Sequence, residues 1–134
     1  MTSADTAATR NWMRWTGYGL TGLVSLFMTM DAAMKLTQLP IVLETTAQLG
    51  WPVTTVVSLG LVLLISTALY VIPSTSLLGA ILLTGYLGGA VATHARVESP
   101  LFSHTLFGVY VGIMLWGALY LRSDRLRSLI PIGR

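Results

Sequence analysis

Three stretches of this chain, at positions 53–72, 76–93 and 101–121, contain no Asp, Glu, Lys or Arg. Each is close to the roughly 20 mostly apolar residues that a helix needs to cross a bilayer. Within hydrocarbon every backbone N–H and C=O must find its partner inside the protein, so runs of this kind are helices. A fourth window, 15–36, is also apolar, although Asp31 and Lys35 stand near its end. The four windows occupy most of the 134 residues, which predicts one membrane domain over 1–134 and leaves no soluble catalytic domain. Only 10% of residues are charged, against about 25% in soluble domains.

The links between windows are short: VIPSTS at 71–76 and HARVESP at 94–100. Short links make consecutive helices antiparallel neighbours. The expected fold is therefore an all-α, up-down-up-down four-helix transmembrane bundle. Arg10 and Arg14 precede the first window, and Arg122, Arg125, Arg127 and Arg134 follow the last. Only Lys35 and Arg96 fall on the other side. An excess of Lys and Arg marks the cytoplasmic side, so both termini are expected there, in a multi-pass protein of the bacterial inner membrane.

The sequence pI near 9.7 does not point to nucleic acid. Its basic residues flank membrane spans, where they act as orientation signals and contacts to anionic lipid; DNA binding would need a basic surface away from the bilayer. There is no cysteine, which excludes disulfides, thiolate metal sites and thiol redox chemistry within the chain. The first window is longer than the core of a secretion signal and no small-residue cleavage site follows it, so it is read as retained.

Local signals refine the picture. Residues 1–11 read as a short mobile tail. Pro40 and Pro52 bracket 41–49, which suits a short interfacial helix, and Pro52 fits the first turn of the next helix. Ser74 or Thr75 is a candidate cap for the helix that follows, as is Ser99 before Pro100. Gly85-x-x-x-Gly89 and Gly108-x-x-x-Gly112 are candidate close contacts between helices, as are the small residues of the first window, such as Gly17 and Gly22. The tail from Arg122 to Arg134 reads as partly amphipathic and surface-bound.

In this topology Asp31, Lys35, His94, Arg96, Glu98 and His104 all gather at the outer end of the bundle. Asp31 and Lys35 are four apart with the acid first, the favourable order for an ion pair along a helix. Ionisable groups within a membrane segment are functional candidates by default. The plainer reading is a clasp, in which Lys35 snorkels to the headgroups while Asp31 pairs with it or with Arg96. His94, at the end of a glycine-rich run, is a candidate for ligand binding or proton transfer. His104 is a weaker one. Glu44 and Glu98 read as solvated.

Two histidines and Asp31 could offer three zinc ligands, but no H-x-x-x-H or E-x-x-H spacing accompanies them, and no metal site is expected. An axial haem ligand from His94 or His104 is conceivable yet unsupported by spacing. No phosphate-binding loop, nucleophile elbow or dinucleotide fingerprint occurs.

Four segments carry a resemblance: DAAMKL at 31–36, QLGWP at 48–52, LYVIPSTSLLGAILLTGYLGGAVATHARV at 69–97 and LFGVYVGIMLWGALYLRSDRLRSLIP at 106–131. They resemble the DoxX-like family of small four-helix bacterial membrane proteins, within the broader group named after subunits of a thiosulfate:quinone oxidoreductase. The resemblance covers the chain from about Trp15 onward. It implies an Asp-x-x-x-Lys pair at Asp31 and Lys35, a His-x-Arg at His94 and Arg96, and a bundle cavity suited to a hydrophobic molecule such as a quinone. The missing cysteine departs from thiol-using relatives, and the second window lacks the acid that a two-carboxylate isomerase site requires.

The expected function is that of a binding or redox-accessory subunit. Its lipophilic ligand would sit in the bundle, with His94 and Asp31 as catalytic groups and Arg96, Lys35, His104 and Tyr86 as ligand contacts. Arg96 would hold an anionic or carbonyl oxygen, His94 would exchange a proton and Asp31 would orient one of them. The chain has no electron carrier of its own, so redox chemistry would need a partner protein, a second copy or a bound cofactor. Two alternatives stay open: a stand-alone membrane enzyme, isomerase or haem-dependent, and a structural or assembly factor in which the cluster is only a clasp.

Overall fold

The computed structural model describes residues 3–130, and its regular elements are all helical. Helix α1 spans Ser3–Leu36, so most of the segment expected to be a mobile tail is its first turns. The reason is local. Ala4, Ala7 and Ala8 cost nothing in helix propensity, Asp5 sits where the helix dipole favours an acid, and the Thr9 hydroxyl donates to the Asp5 carbonyl at 2.9 Å.

A short α2, Pro40–Gln48, lies at 92° to α1. Gln38 makes the corner in the left-handed region, with φ of 54°. One turn, Val53–Thr55, leads into α3, Val56–Val71. Pro52 stands one residue before that turn, in extended conformation, rather than within it. Helix α4 is Ser76–Arg96. A π-helical turn, Leu101–Thr105, opens onto α5, Phe107–Arg122. Last comes α6, Asp124–Leu129, where the Ser123 hydroxyl accepts from the Leu126 N–H at 3.2 Å. Leu126 is buried, which ties this piece of the basic tail to the bundle; residues 131–134 of that tail lie outside the described ones.

Three segments are long and apolar enough to cross a membrane: Val53–Val71, Pro73–Arg96 and Leu101–Arg122. The first window reaches that standard only when α1 and α2 are counted together. Thr16, Gly17, Gly19, Thr21, Gly22, Ser25 and Thr29 dilute its hydropathy. Only 28–33% of each apolar span is buried. Val62, Ile65, Ile81 and Ile113 face outward, as lipid-facing residues do.

The expected side-chain caps are absent. Thr75 donates back to the Leu69 carbonyl at 2.8 Å, and the Ser99 hydroxyl meets His94 Nδ1 at 3.0 Å. Both hydroxyls close the link they stand in instead of starting the next helix.

The four long helices form a ring, α1 against α3 and α5, and α4 against α3 and α5. Val24 and Met28 of α1, Leu63 and Tyr70 of α3, Leu83 and Leu87 of α4, and Leu115 and Leu119 of α5 fill the centre. Glycines set the closest approaches. Gly17 lies against Ala118 and Arg122, Gly60 against Ala32 and Lys35, Gly79 against Leu69 and Tyr70, and Gly108 against Leu87 and Val91. Gly60 and Gly79, early in α3 and α4, each meet the last turns of the long helix before them. Of the two G-x-x-x-G candidates, only Gly108 makes such a contact; β-carbons built at Gly85, Gly89 and Gly112 meet nothing within 4 Å.

Candidate functional site

That open space at Gly85 and Gly89 belongs to a cavity of about 610 Å3. Its floor is the glycine face of α4, continued by Tyr86, Ala90, Thr93 and His94. From α1 come Phe27, Met28, Asp31, Met34 and Lys35, and from α5 Phe107 and Gly108. Helix α2 roofs it with Ile41, Val42, Thr45 and Thr46, followed by Leu49 and Trp51. The Phe27 and Phe107 rings stand 5.3 Å apart, tilted at 52°, and close one wall.

Polar groups punctuate this apolar lining at a few points. Lys35 Nζ donates to Asp31 Oδ1 at 2.5 Å, with side chains 16% and 32% exposed. A pair so shielded keeps its charge–charge attraction better than one in open water. Lys35 Nζ also stands 6.0 Å from the centre of the Tyr86 ring, at the outer reach of a cation–π contact. The His94 and His104 rings are 6.0 Å apart, edge to face. His94 Nδ1 is engaged by Ser99 and His104 Nδ1 by the Ser103 hydroxyl at 2.7 Å, so that among the described residues each Nε2 is the ring nitrogen left for a ligand.

The Thr45 and Thr46 hydroxyls are spent on backbone carbonyls one turn back, at 2.8 and 2.7 Å. Their single donors are therefore used, and they can offer a guest only acceptor oxygens. Chemically, the site can hold an apolar body and offer a few donors and acceptors around its rim.

Five of the six residues singled out by the sequence come together here: Asp31, Lys35, Tyr86, His94 and His104. Arg96 does not line the cavity. Its Nη2 donates to the Leu49 carbonyl at 2.7 Å, so the ion pair it could make with Asp31 in the clasp reading is not formed. Asp31 pairs with Lys35. Among the described residues no group of three or more His, Cys, Asp or Glu is arranged to hold a metal ion.

Sequence reasoning gave no role to Trp51 or Thr93, yet the indole N–H of Trp51 donates to Thr93 Oγ1 at 3.1 Å and fastens the roof to α4. The signal was present in QLGWP, whose glycine and proline mark a fixed corner. Phe27, Phe107, Met28 and Met34 read only as generic span residues, because nothing in their spacing separates a cavity wall from a lipid-facing surface.

No curated protein and no solved structure matches the chain. The sequence profile of the DoxX-like family matches residues 19–118, which include the cavity residues from Phe27 to Gly108. The chain thus belongs to the DoxX-like family and is a multi-pass membrane protein.

Proposed function

We propose that the protein binds a lipophilic, quinone-like molecule in the cavity and acts as a binding or redox-accessory subunit in the bacterial inner membrane. The observation that carries this reading is the cavity itself. Its volume of about 610 Å3 falls within the roughly 300–1,000 Å3 of small-molecule sites, which are mostly apolar with a few well-placed polar groups. Phe27, Phe107 and Met34 suit an unsaturated or branched apolar body. Lys35 and the histidine Nε2 atoms suit a carbonyl or hydroxyl head, with Asp31 holding Lys35 in place and His94 exchanging a proton with the head.

In this reading α1 crosses the membrane together with the three more apolar helices, in up-down-up-down order, with both termini in the cytoplasm. The ring order and the contact of Gly17 with Arg122 support it, because they set the stretch of α1 just after Arg14 beside the end of α5. Arg14 lies 3.7 Å from Asp124 at the same end, where the Lys and Arg excess is concentrated.

The test is retention of a defined quinone. Purified protein is incubated with decylubiquinone, stripped of excess, and examined by native mass spectrometry beside an Ala90→Trp variant that fills the cavity. Bound quinone in the unaltered chain and its loss in the variant is the expected result. Equal retention by both, or none by either, overturns the assignment.

A further inference from the structure

The roof of the cavity is built unlike its walls. Walls α1, α3, α4 and α5 pack along their lengths, whereas α2 touches the bundle chiefly through α3 and the turn before it. Both ends of α2 are bends. Gln38 at its start and Gly50 at its end take positive φ, 54° and 84°. Few buried contacts and a hinge on each side are what a segment of low local stability looks like.

Two side-chain ties hold the trailing end of α2 to the last turn of α4. One is Arg96 Nη2 to the Leu49 carbonyl at 2.7 Å. The other is the Trp51 indole to Thr93 at 3.1 Å. Gly50 serves the first tie twice. Its φ of 84° suits a residue without a side chain, and a β-carbon there would stand 2.6 Å from Arg96 Nη2. The sequence thus keeps Gly50 small where the guanidinium must reach the carbonyl.

We infer that α2 is a movable lid over the cavity and that Arg96 is the positioning residue that latches it, acting through Leu49 without touching the ligand. This deepens the binding reading and rests on it for the ligand, since displacing α2 would widen the way into a cavity whose walls at Phe27, Gly85 and Gly89 are already partly exposed. Opening breaks the two ties and swings α2 about Gln38 and Gly50, while the four-helix ring stays packed. Arg96 suits the task because its charged donor makes a stronger bond to a carbonyl than a neutral one would.

The experiment is independent of any ligand. The chain has no cysteine, so Ala90→Cys places a single thiol in the cavity and Ala80→Cys places one in the fully buried core. The rate of modification by N-ethylmaleimide is measured for each, in the full chain in lipid nanodiscs, with Arg96 intact, Arg96→Gln or Arg96→Lys. Trp51→Phe serves as a second way of loosening the lid. The expected result is a rise of about tenfold for the cavity thiol in Arg96→Gln, the weight of one hydrogen bond to a charged group, partly reversed in Arg96→Lys. Trp51→Phe should raise it by a smaller factor, and the core thiol should stay protected throughout. An unchanged rate for the cavity thiol in both loosened variants, or an equal rise for the core thiol that marks general loosening, overturns the lid. A failure to retain quinone would overturn the ligand assignment and leave this result standing.

Discussion

Arg122 Nη2 donates to the carbonyl oxygen of Tyr70 at 2.7 Å, and its guanidinium carbon lies 5.0 Å from the centre of the Tyr70 ring. The same nitrogen reaches Ser76 Oγ at 3.2 Å, so one side chain of α5 joins the end of α3 to the start of α4. Tyr70 answers by donating its hydroxyl to the Leu115 carbonyl at 2.6 Å. This end of the bundle is therefore a built clasp, at the opposite pole from the cavity. Hydrogen bonds to charged groups contribute about 1.5–3 kcal/mol. Arg122→Leu is expected to lose stability of about that size, read as a lowered melting temperature in detergent. Arg122→Lys should recover only part, because an ammonium lacks the flat guanidinium face that lies over the Tyr70 ring while one of its nitrogens bonds the carbonyl and the hydroxyl. A melting temperature unchanged in Arg122→Leu would remove the clasp.

The glycines of α4 divide into two kinds, and substitution should separate them. A β-carbon at Gly79 would fall on the backbone of Leu69 and Tyr70, where nothing can move aside. At Gly85 and Gly89 it meets open cavity. Gly79→Leu is expected to abolish folded protein. Gly85→Leu and Gly89→Leu should fold, helped by up to about 1 kcal/mol of helix propensity, while quinone retention falls at least roughly tenfold as the side chain occupies ligand volume. Size-exclusion profiles and native mass spectra of the three variants decide the matter.

How far these features were legible in the sequence differs by kind. Charge-free windows and short links gave three spans and their order directly, because bilayer thickness and backbone hydrogen bonding leave little choice. Asp31 with Lys35 was legible through its four-residue spacing. The role of Arg96 was not, because its partner is a backbone carbonyl 47 positions away in a loop, and main-chain acceptors leave no mark in a sequence. The caps misled for a related reason. Ser99 and Thr75 had equally good partners behind them, His94 Nδ1 and the Leu69 carbonyl. Glycine motifs named the right residues but not their use, since the same absence of a side chain permits helix contact at Gly108 and empty space at Gly85.

The orientation of the chain has a direct test. A reporter active only in the cytoplasm, fused after residue 134, is expected to give full signal, and a periplasm-only reporter at the same site none. Substituting Arg122, Arg125 and Arg127 together by Gln should weaken that bias, because it removes most of the Lys and Arg near the last span. A periplasmic signal from the unaltered chain would place the cavity on the cytoplasmic side.

Asp31 discriminates best between a working site and a structural one. Its carboxylate holds Lys35 at 2.5 Å on the cavity wall. Asp31→Asn keeps the shape and one hydrogen bond but removes the charge. Breaking a fully buried pair costs about 3–5 kcal/mol. Here the acid is 32% exposed, so solvent screening brings the expected loss down toward about 1 kcal/mol. If Lys35 presents its ammonium to a ligand oxygen, losing the acid that positions it should weaken quinone binding by about tenfold, the weight of one charge-assisted contact. Lys35→Met should weaken it as much. The double variant then closes a cycle: for a site acting as one unit its binding loss equals that of either single change. Thermal unfolding and quinone titration on the same four proteins report stability and affinity separately. A large drop in melting temperature with unchanged affinity would make the pair a clasp and leave His94 and His104 as the polar groups of the site.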